Sequence, residues 1–417
     1  MRRTVAVVGG GCSGVLVARE LLRCSDVGVE LVEPGELGGG IAYGAARPWH
    51  LLNSRAGAMS ADPDDPGHFV RWAGTTPEAF RPRAEFGQYL RSALEQAAVE
   101  HPGRLRVRPG RATAIGGDAT VSLADGGVVR ADDVVLAAGG PAVSRQDVPH
   151  SRYVADPWLP GALDGLPADQ PVLLIGTGLT AVDVALTLTA DGHRAAPVVA
   201  VSRRGLLPLT HTAAASPPTA PPLDDCVTLR DVVRAVRAAA GEAGDWRPIV
   251  DGLRPYLDEL WTALTPAERD AFLRHLARPW ECHRHRMAPV VAARVAELRD
   301  AGLLEIRSGG LSAVDTGQFA AVINCAGPGR LPEAAGPLVG GLLKTGIARV
   351  GPHSLGLDID HSGRLVGAGG RVSDRLFLIG PLRRGAQWET TAVPEIRAQA
   401  RRIALDLRVG AVLAEAA

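Results

Sequence analysis

The stretch VAVVGGGCSGVLVARELL, Val5 to Leu22, sets Gly9, Gly11 and Gly14 in G-x-G-x-x-G spacing between an apolar run and a helix-like pattern. Glycine does a different job at each place. The first makes a tight turn, the second lets a diphosphate approach the backbone, and the third lets the helix pack on the strand. The helix N-terminus, with Cys12 and Ser13 in its first turn, then faces the anion. A second apolar run, VGVELVE, ends in Glu33, 19 residues after Gly14, where a carboxylate can accept hydrogen bonds from a ribose. A lone glycine pattern also occurs in purely structural turns. Strand, turn, helix and acidic residue together predict a dinucleotide site.

The same grammar returns in QPVLLIGTGLTAVDVALTLTADG, where an apolar strand precedes Gly176, Gly178 and Ala181, with Leu179 and Thr180 opening the helix. Its following strand, APVVAVSRRG, ends in Ser202, Arg203 and Arg204 instead of a carboxylate. A carboxylate repels a 2′-phosphate, whereas a guanidinium pairs with one bidentately. The first site should therefore hold a nucleotide without that phosphate, and the second should prefer NADPH. The alternative for the arginines is a solvated basic turn.

These turns need sheets to carry them. At 417 residues, 46% apolar and 22% charged, the chain is long enough for two or three domains of ordinary globular composition. Its formal net charge is zero, so no basic field invites nucleic acid or an anionic membrane. Lys344 is the sole lysine, which disfavours Schiff-base chemistry. No apolar run reaches the length of a membrane span. The arginines at the start followed by an apolar run resemble a leader, but three glycines interrupt that run, so a cytoplasmic protein is expected. The five cysteines are scattered without a C-x-x-C, against a disulfide framework or a dithiol reductase.

Further strand-and-turn segments are DDVVLAAGGP, with Gly139, and FAAVINCAGPG, with Gly327. The end of the chain, RLFLIGPLRRGAQWETTAVPEIRAQARRIALDL, reads as a strand, a loop and a long helix. The stiff connector SPPTAPPL leads into helical patterning that includes TPAERDAF, in which Thr265, Pro266 and Glu268 predict an N-cap, a first helical residue and a capping box. In WECHRHRMAP, His283 and His285 would share a face if the segment were a strand, but Arg284 and Arg286 oppose a cation. A basic loop contacting an anion or substrate is preferred to a metal there. The expected organisation is a dinucleotide-binding part over 1–155, a second over 156–335 with a helical insertion at about 224–290, and a return to the first over 336–417. The fold class expected is α/β, with two Rossmann-like dinucleotide-binding domains and a helical insertion.

Together, VGGGCSG, Glu33, VVLAAGGP, LIGTGLTAVD, VSRRG, VINCAGP and FLIGPLRRGAQWETTAVPEIR resemble the FAD/NAD(P)-binding flavoproteins with two dinucleotide-binding domains. The nearest likeness is to a bacterial branch with GGGIAYG, HLLN, HRHRMAP and WETTAVPEIR-like segments. More distantly the chain resembles the flavin monooxygenases that hydroxylate amine nitrogens, and the Baeyer-Villiger enzymes. The resemblance covers nearly the whole chain and implies FAD in the first site and NADPH in the second. It adds Gly40 of GGGIAYG, Asn53, Met59, Gly380, Pro381, Trp388 and Thr390 to the residues expected around the cofactors, with Asn53 as a hydrogen-bond donor near the reactive edge of the flavin. Gln88 and Tyr89 are read as helix residues. One departure is Pro381, which follows Gly380 where such flavoproteins commonly carry the aspartate that holds the ribityl chain. That contact is expected instead from backbone near Leu382 or from the WETT turn.

Two nucleotide sites in one chain imply electron transfer from NADPH to FAD and on to an acceptor. With no cysteine pair and no membrane segment, dioxygen is the expected acceptor. The expectation is an FAD-dependent, NADPH-using monooxygenase that hydroxylates a small-molecule substrate, an amine nitrogen first among them, through a flavin hydroperoxide. The alternative is a flavin-dependent NADPH oxidoreductase that inserts no oxygen. The oligomeric state is not legible.

Overall fold

The structure is a computed structural model that describes residues 2–415. The chain divides into two compact units, one formed by Met1–Pro48, Arg55–Ala142 and Pro328–Ala417, the other by Trp49–Ser54 and Val143–Gly327.

The first unit is built on a six-stranded sheet. Its strands are β1 (Thr4–Val8), β2 (Gly28–Glu33), β3 (Leu105–Pro109), β7 (Asp133–Leu136), β13 (Arg364–Val366) and β14 (Val372–Leu378), in the order β13-β14-β7-β1-β2-β3. All neighbours pair in parallel except β13 and β14. Val5, Ala6 and Val7 of β1 are fully buried, as parallel strands covered on both faces require, which is why TVAVV reads as a continuous apolar run. The helices Cys12–Cys24, Arg83–Glu100 and Val393–Glu415 pack together, the first against both others. A small antiparallel sheet of β4 (Ala112–Ile115), β5 (Thr120–Leu123) and β6 (Val128–Arg130) completes the unit.

The second unit has a wholly parallel sheet of β8 (Tyr153–Val154), β9 (Val172–Ile175), β10 (Val198–Ser202), β11 (Leu304–Ser308) and β12 (Ala321–Asn324), in the order β11-β10-β9-β12-β8. In both sheets the strand before a glycine turn, β1 or β9, stands where the chain order reverses. Open α/β sheets bind ligands beyond the carboxyl ends of the strands at that point. Between β10 and β11 lie six helices and turns from Leu229–Ala243 to Ala277–Arg284, and then the helix Pro289–Asp300. Thr228 with Asp231, and Thr265 with Glu268, form capping boxes.

Three expectations need correction. The boundary falls between Ala142 and Val143, not after residue 155, because Tyr153–Val154 pairs with β12 in the second sheet. The return to the first unit begins at Pro328, not at 336, and Trp49–Ser54 groups with the second unit. There the His50 ring meets the Thr187 hydroxyl at 2.9 Å, and the Trp49 indole N–H donates to the same hydroxyl at 3.3 Å. Finally, Cys282 and His283 lie on the helix Ala277–Arg284 with His285 as its C-cap, so the two histidines do not alternate along a strand. Most of the segment is therefore helix and not the expected basic loop, and Arg284 and Arg286 are buried, Arg286 being ion-paired with Asp251.

Candidate functional site

In the first unit Gly9 adopts φ +106°, and a Cβ there would stand 2.5 Å from the Ala137 carbonyl oxygen. Gly9 N–H donates to Val32 O at 2.9 Å, and Ala137 N–H to Val8 O at 2.8 Å, so the turn is seated on the ends of β2, β1 and β7. A Cβ at Gly14 would come within 1.7 Å of the Gly9 carbonyl oxygen, the close helix-to-turn contact that only glycine permits. Glu33 reaches this turn. Its Oε2 accepts from Gly10 N–H at 2.6 Å and its Oε1 from Gly35 N–H at 2.9 Å. Each carboxylate oxygen keeps a lone pair for a further donor such as a ribose hydroxyl.

Gly11, expected to lie open to a diphosphate, has the backbone of Gly40 against it, the Cα of Gly40 being 3.4 Å from a Cβ placed on Gly11. Two residues without side chains let these backbones meet. The covering segment is tied down by Gly38 N–H donating to Gly10 O at 2.8 Å and by a hydrogen bond between Tyr43 and Cys12. Burial pushes the Cys12 thiol up to about 12, and burial with the nearby thiol raises the Tyr43 phenol, so both stay protonated at neutral pH.

Ser13 is buried beside Gly380, whose φ is +87° and whose Cβ would meet the serine Oγ at 2.4 Å. Gly380 N–H donates to Gln399 Oε1 at 2.9 Å, and Pro381 opens a single helical turn. A Cβ on Gly140, the neighbour of Gly139, would stand 3.4 Å from the Pro381 Cβ. The structure thus brings Gly9, Gly11, Cys12, Ser13, Gly14, Glu33, Gly40, Gly139, Gly380 and Pro381 around one turn. Met59, Trp388 and Thr390 are buried in the same unit, and Arg384 lies over the Trp388 ring at 4.4 Å. Thr390 is fully buried, yet its hydroxyl has no hydrogen-bond partner among the described residues. An orphaned buried hydroxyl is costly unless a ligand completes it. The first helical turn at Cys12 and Ser13 likewise presents N–H groups without intrahelical partners. These features fit a bound dinucleotide.

The second unit repeats the seat. Gly176 has φ +114°, its Cβ would stand 2.4 Å from the Cys325 carbonyl oxygen, and its N–H donates to Val201 O at 2.7 Å. Gly327 after β12 has φ +85°, matching φ +81° at Gly139 after β7. Gly178, Leu179 and Thr180 open the helix Leu179–Leu188. At the end of β10, Ser202 Oγ lies 2.9 Å from Thr177 Oγ1 and accepts from Gly205 N–H at 3.1 Å. Arg203 and Arg204 are exposed there, and Arg204 donates to His275 O at 3.2 Å. Asn53 belongs to this unit, where its backbone carbonyl accepts from the His211 ring at 3.0 Å.

Sequence reasoning missed one residue of the first turn, Tyr43, which was visible only as part of GGGIAYG.

Residues 6–141 match the model of the FAD-NAD(P)-binding family. No curated protein sequence matches the chain. Among solved structures, ornithine N-hydroxylase from Kutzneria sp. 744 superposes with a TM-score of 0.62 at 14% identity, covering 100% of each chain. The FAD-bound cadaverine monooxygenase of Erwinia amylovora gives 0.61 at 12% identity, over 98% of this chain and 94% of that one. Thioredoxin reductase from Lactococcus lactis gives 0.51 at 14% identity, with 99% of each covered. At these identities the likeness is one of fold. The chain has the α/β architecture of the flavoenzymes with two dinucleotide-binding domains, and the family match falls largely within its first unit. Among the described residues no helix is long and apolar enough to cross a membrane, and no group of three or more His, Cys, Asp or Glu could hold a metal ion.

Proposed function

We propose that the chain is an FAD-dependent, NADPH-using monooxygenase of the cytoplasm that hydroxylates a small molecule with dioxygen, an amine nitrogen being the atom that receives oxygen. The observation that carries the reading is the pair of glycine turns on switch-point strands, one backed by Glu33 and the other by Ser202, Arg203 and Arg204. FAD, when bound, supplies the electron transfer and oxygen activation that side chains cannot. In this reading Gly9 and Gly14 shape the turn, with Gly11 and Gly40 close beside it, so that the free N–H groups at Cys12 and Ser13 face the first diphosphate, Glu33 accepts from the ribose, and Thr390 gives its hydroxyl to the flavin nucleotide. Gly176 and Gly178 receive the second dinucleotide, while Arg203 and Arg204 select the 2′-phosphate.

The state of the thiols supports an acceptor other than a cysteine pair. Burial raises Cys12, Cys282 and Cys325, and the protein's cysteines are free. Thiols held protonated are poor partners for disulfide exchange. Two of the similar folds belong to proteins named for amine substrates, ornithine and cadaverine, which favours nitrogen.

The test is oxygen uptake by the FAD-loaded protein with NADPH, with and without a panel of amines. The reading expects uptake coupled to an amine and a product heavier by one oxygen atom. Release of hydrogen peroxide alone, whatever amine, sulfide or ketone is supplied, together with fast turnover on an artificial electron acceptor, would replace it by an NADPH oxidoreductase that inserts no oxygen.

A further inference from the structure

Arg278 opens the helix Ala277–Arg284, yet its head group lies at the turn after β9. Its Nη2 donates to Thr177 O at 3.1 Å, Thr177 Oγ1 at 3.3 Å and Leu206 O at 2.5 Å. Its Nη1 faces Gly178, standing 3.8 Å from where a Cβ of that glycine would be. The direction in which a side chain is missing at this second glycine is the direction from which a diphosphate reaches the backbone. Carbonyl dipoles fix the guanidinium without neutralising it, and no carboxylate among the described residues forms an ion pair with Arg278. A half-buried cation, oriented by one nitrogen, thus presents its other nitrogen without a counter-ion beside the glycine.

We infer that Arg278 is a further coenzyme-binding residue, gripping the diphosphate of the nicotinamide dinucleotide at the Gly176–Gly178 turn. The inference rests on the reading of the second unit as the nicotinamide site. It assigns a division of labour. Arg203 and Arg204, at the far end of β10, address the 2′-phosphate that only NADPH carries. Arg278 addresses the diphosphate that NADPH and NADH share. It also gives the helical insertion a part in coenzyme binding, because the insertion supplies the residue. A planar guanidinium suits this role better than an ammonium, since it can keep the Leu206 and Thr177 contacts on one nitrogen while bonding phosphate with another.

The experiment titrates FAD-loaded wild type, R278A, R278K and the R203A/R204A double variant with NADPH, NADH and 2′-AMP, which carries the 2′-phosphate without a diphosphate. R278A should weaken NADPH and NADH alike by about tenfold or more, as loss of a charge-assisted phosphate contact does. It should leave 2′-AMP within about twofold of wild type, as a change at an independent site does. R278K, retaining the charge, should recover part of the loss. R203A/R204A should show the opposite pattern, weakening NADPH and 2′-AMP and sparing NADH. Wild-type affinity of R278A for both coenzymes would overturn the assignment, as would an equal loss for all three ligands, which would mark a disturbed turn. A wild-type protein that binds none of the three would overturn the nicotinamide reading itself, and the assignment with it.

Discussion

The glycine turns after β1 and β9 share one seat but differ in how tightly it is filled. In each, the first glycine is pressed at positive φ onto the carbonyl after a neighbouring strand, Ala137 in one unit and Cys325 in the other. The first turn is closed. Gly14 lies against Gly9 with no room for a methyl group, Gly40 covers Gly11, and Glu33 ties Gly10. The second turn is looser at the same places. Ala181 stands where Gly14 does, and Arg278 faces Gly178 where Gly40 faces Gly11. In the proposed reading the closed turn would retain its cofactor and the looser one would exchange its coenzyme.

The largest effect expected is at Gly14. Gly14→Ala sets a carbon 1.7 Å from a backbone oxygen, so helix and turn must part, at a cost above about 4 kcal/mol. The expected outcome is loss of soluble protein, or a protein without FAD and with a collapsed thermal transition. A Gly14→Ala protein that melts like wild type with full flavin content would show that the first turn is no tighter than the second.

Next in size is the strand-end chemistry. Replacing Arg203 and Arg204 together by alanine should weaken NADPH on the order of 100-fold while sparing NADH, because each charge-assisted contact is worth roughly 1.5–3 kcal/mol. Equal loss of both coenzymes in steady-state kinetics would reduce the pair to a structural turn. Glu33→Ala sharpens the contrast from the other side. It should loosen FAD about tenfold in a flavin-release assay and leave NADPH affinity unchanged, since one hydrogen-bonded carboxylate is lost from the first site alone.

How far these sites were legible follows from the range over which each signal acts. Glycine spacing, the buried runs TVAVV and VLLI, and the capping box at Thr265 are local, and the structure repeats them. The domain boundary was misplaced because Tyr153–Val154 joins its sheet by pairing with residues near position 322, a choice no local pattern records. The WECHRHR segment lacks the apolar periodicity that separates helix from strand, so its helical state, and the burial of Arg284 and Arg286, were hidden. The placement of Arg278 was hidden for a different reason, since it comes from a contact about 100 residues away in sequence.

The two glycine-led helices also differ beneath the turn. The first is anchored by charge, with Arg19 and Arg23 on Asp62 at 2.8 and 3.0 Å and Arg401 bridging Glu20 and Asp64. The second, Leu179–Leu188, carries a single ionisable residue, Asp183. Burial opposes ionisation of Asp62, but the Arg19 hydrogen bond, the Asp64 N–H and the two guanidinium charges outweigh it and lower its carboxyl to about 2. A depressed folded value contributes stability above the unfolded value and loses it as pH falls through the folded one. Asp62→Asn should therefore cost on the order of 2 kcal/mol at neutral pH. The gap to wild type should close between about pH 4 and pH 2, as denaturant melts across that window would show. A gap that stays constant through it would remove Asp62 from the anchor.

The smallest effect expected tests the looseness of the second turn directly. Ala181 is 3% exposed and packs in the core cluster with Val172, Leu174 and Val198, so its methyl group fills space that Gly14 cannot spare in the first unit. Ala181→Gly removes that methyl from the first turn of the helix Leu179–Leu188, where glycine costs up to about 1 kcal/mol relative to alanine. The turn itself should hold, because its seat on Cys325 and Val201 is made by Gly176 and by backbone alone. The variant should melt a few degrees lower with unchanged affinity for NADPH and full flavin content, since the first unit is untouched. If it instead lost NADPH as completely as Gly14→Ala loses FAD, the alanine would be holding the helix at a set distance from the turn. The two seats would then be equally demanding, each tuned to its own residue, and the contrast between a closed first turn and an open second one would fall.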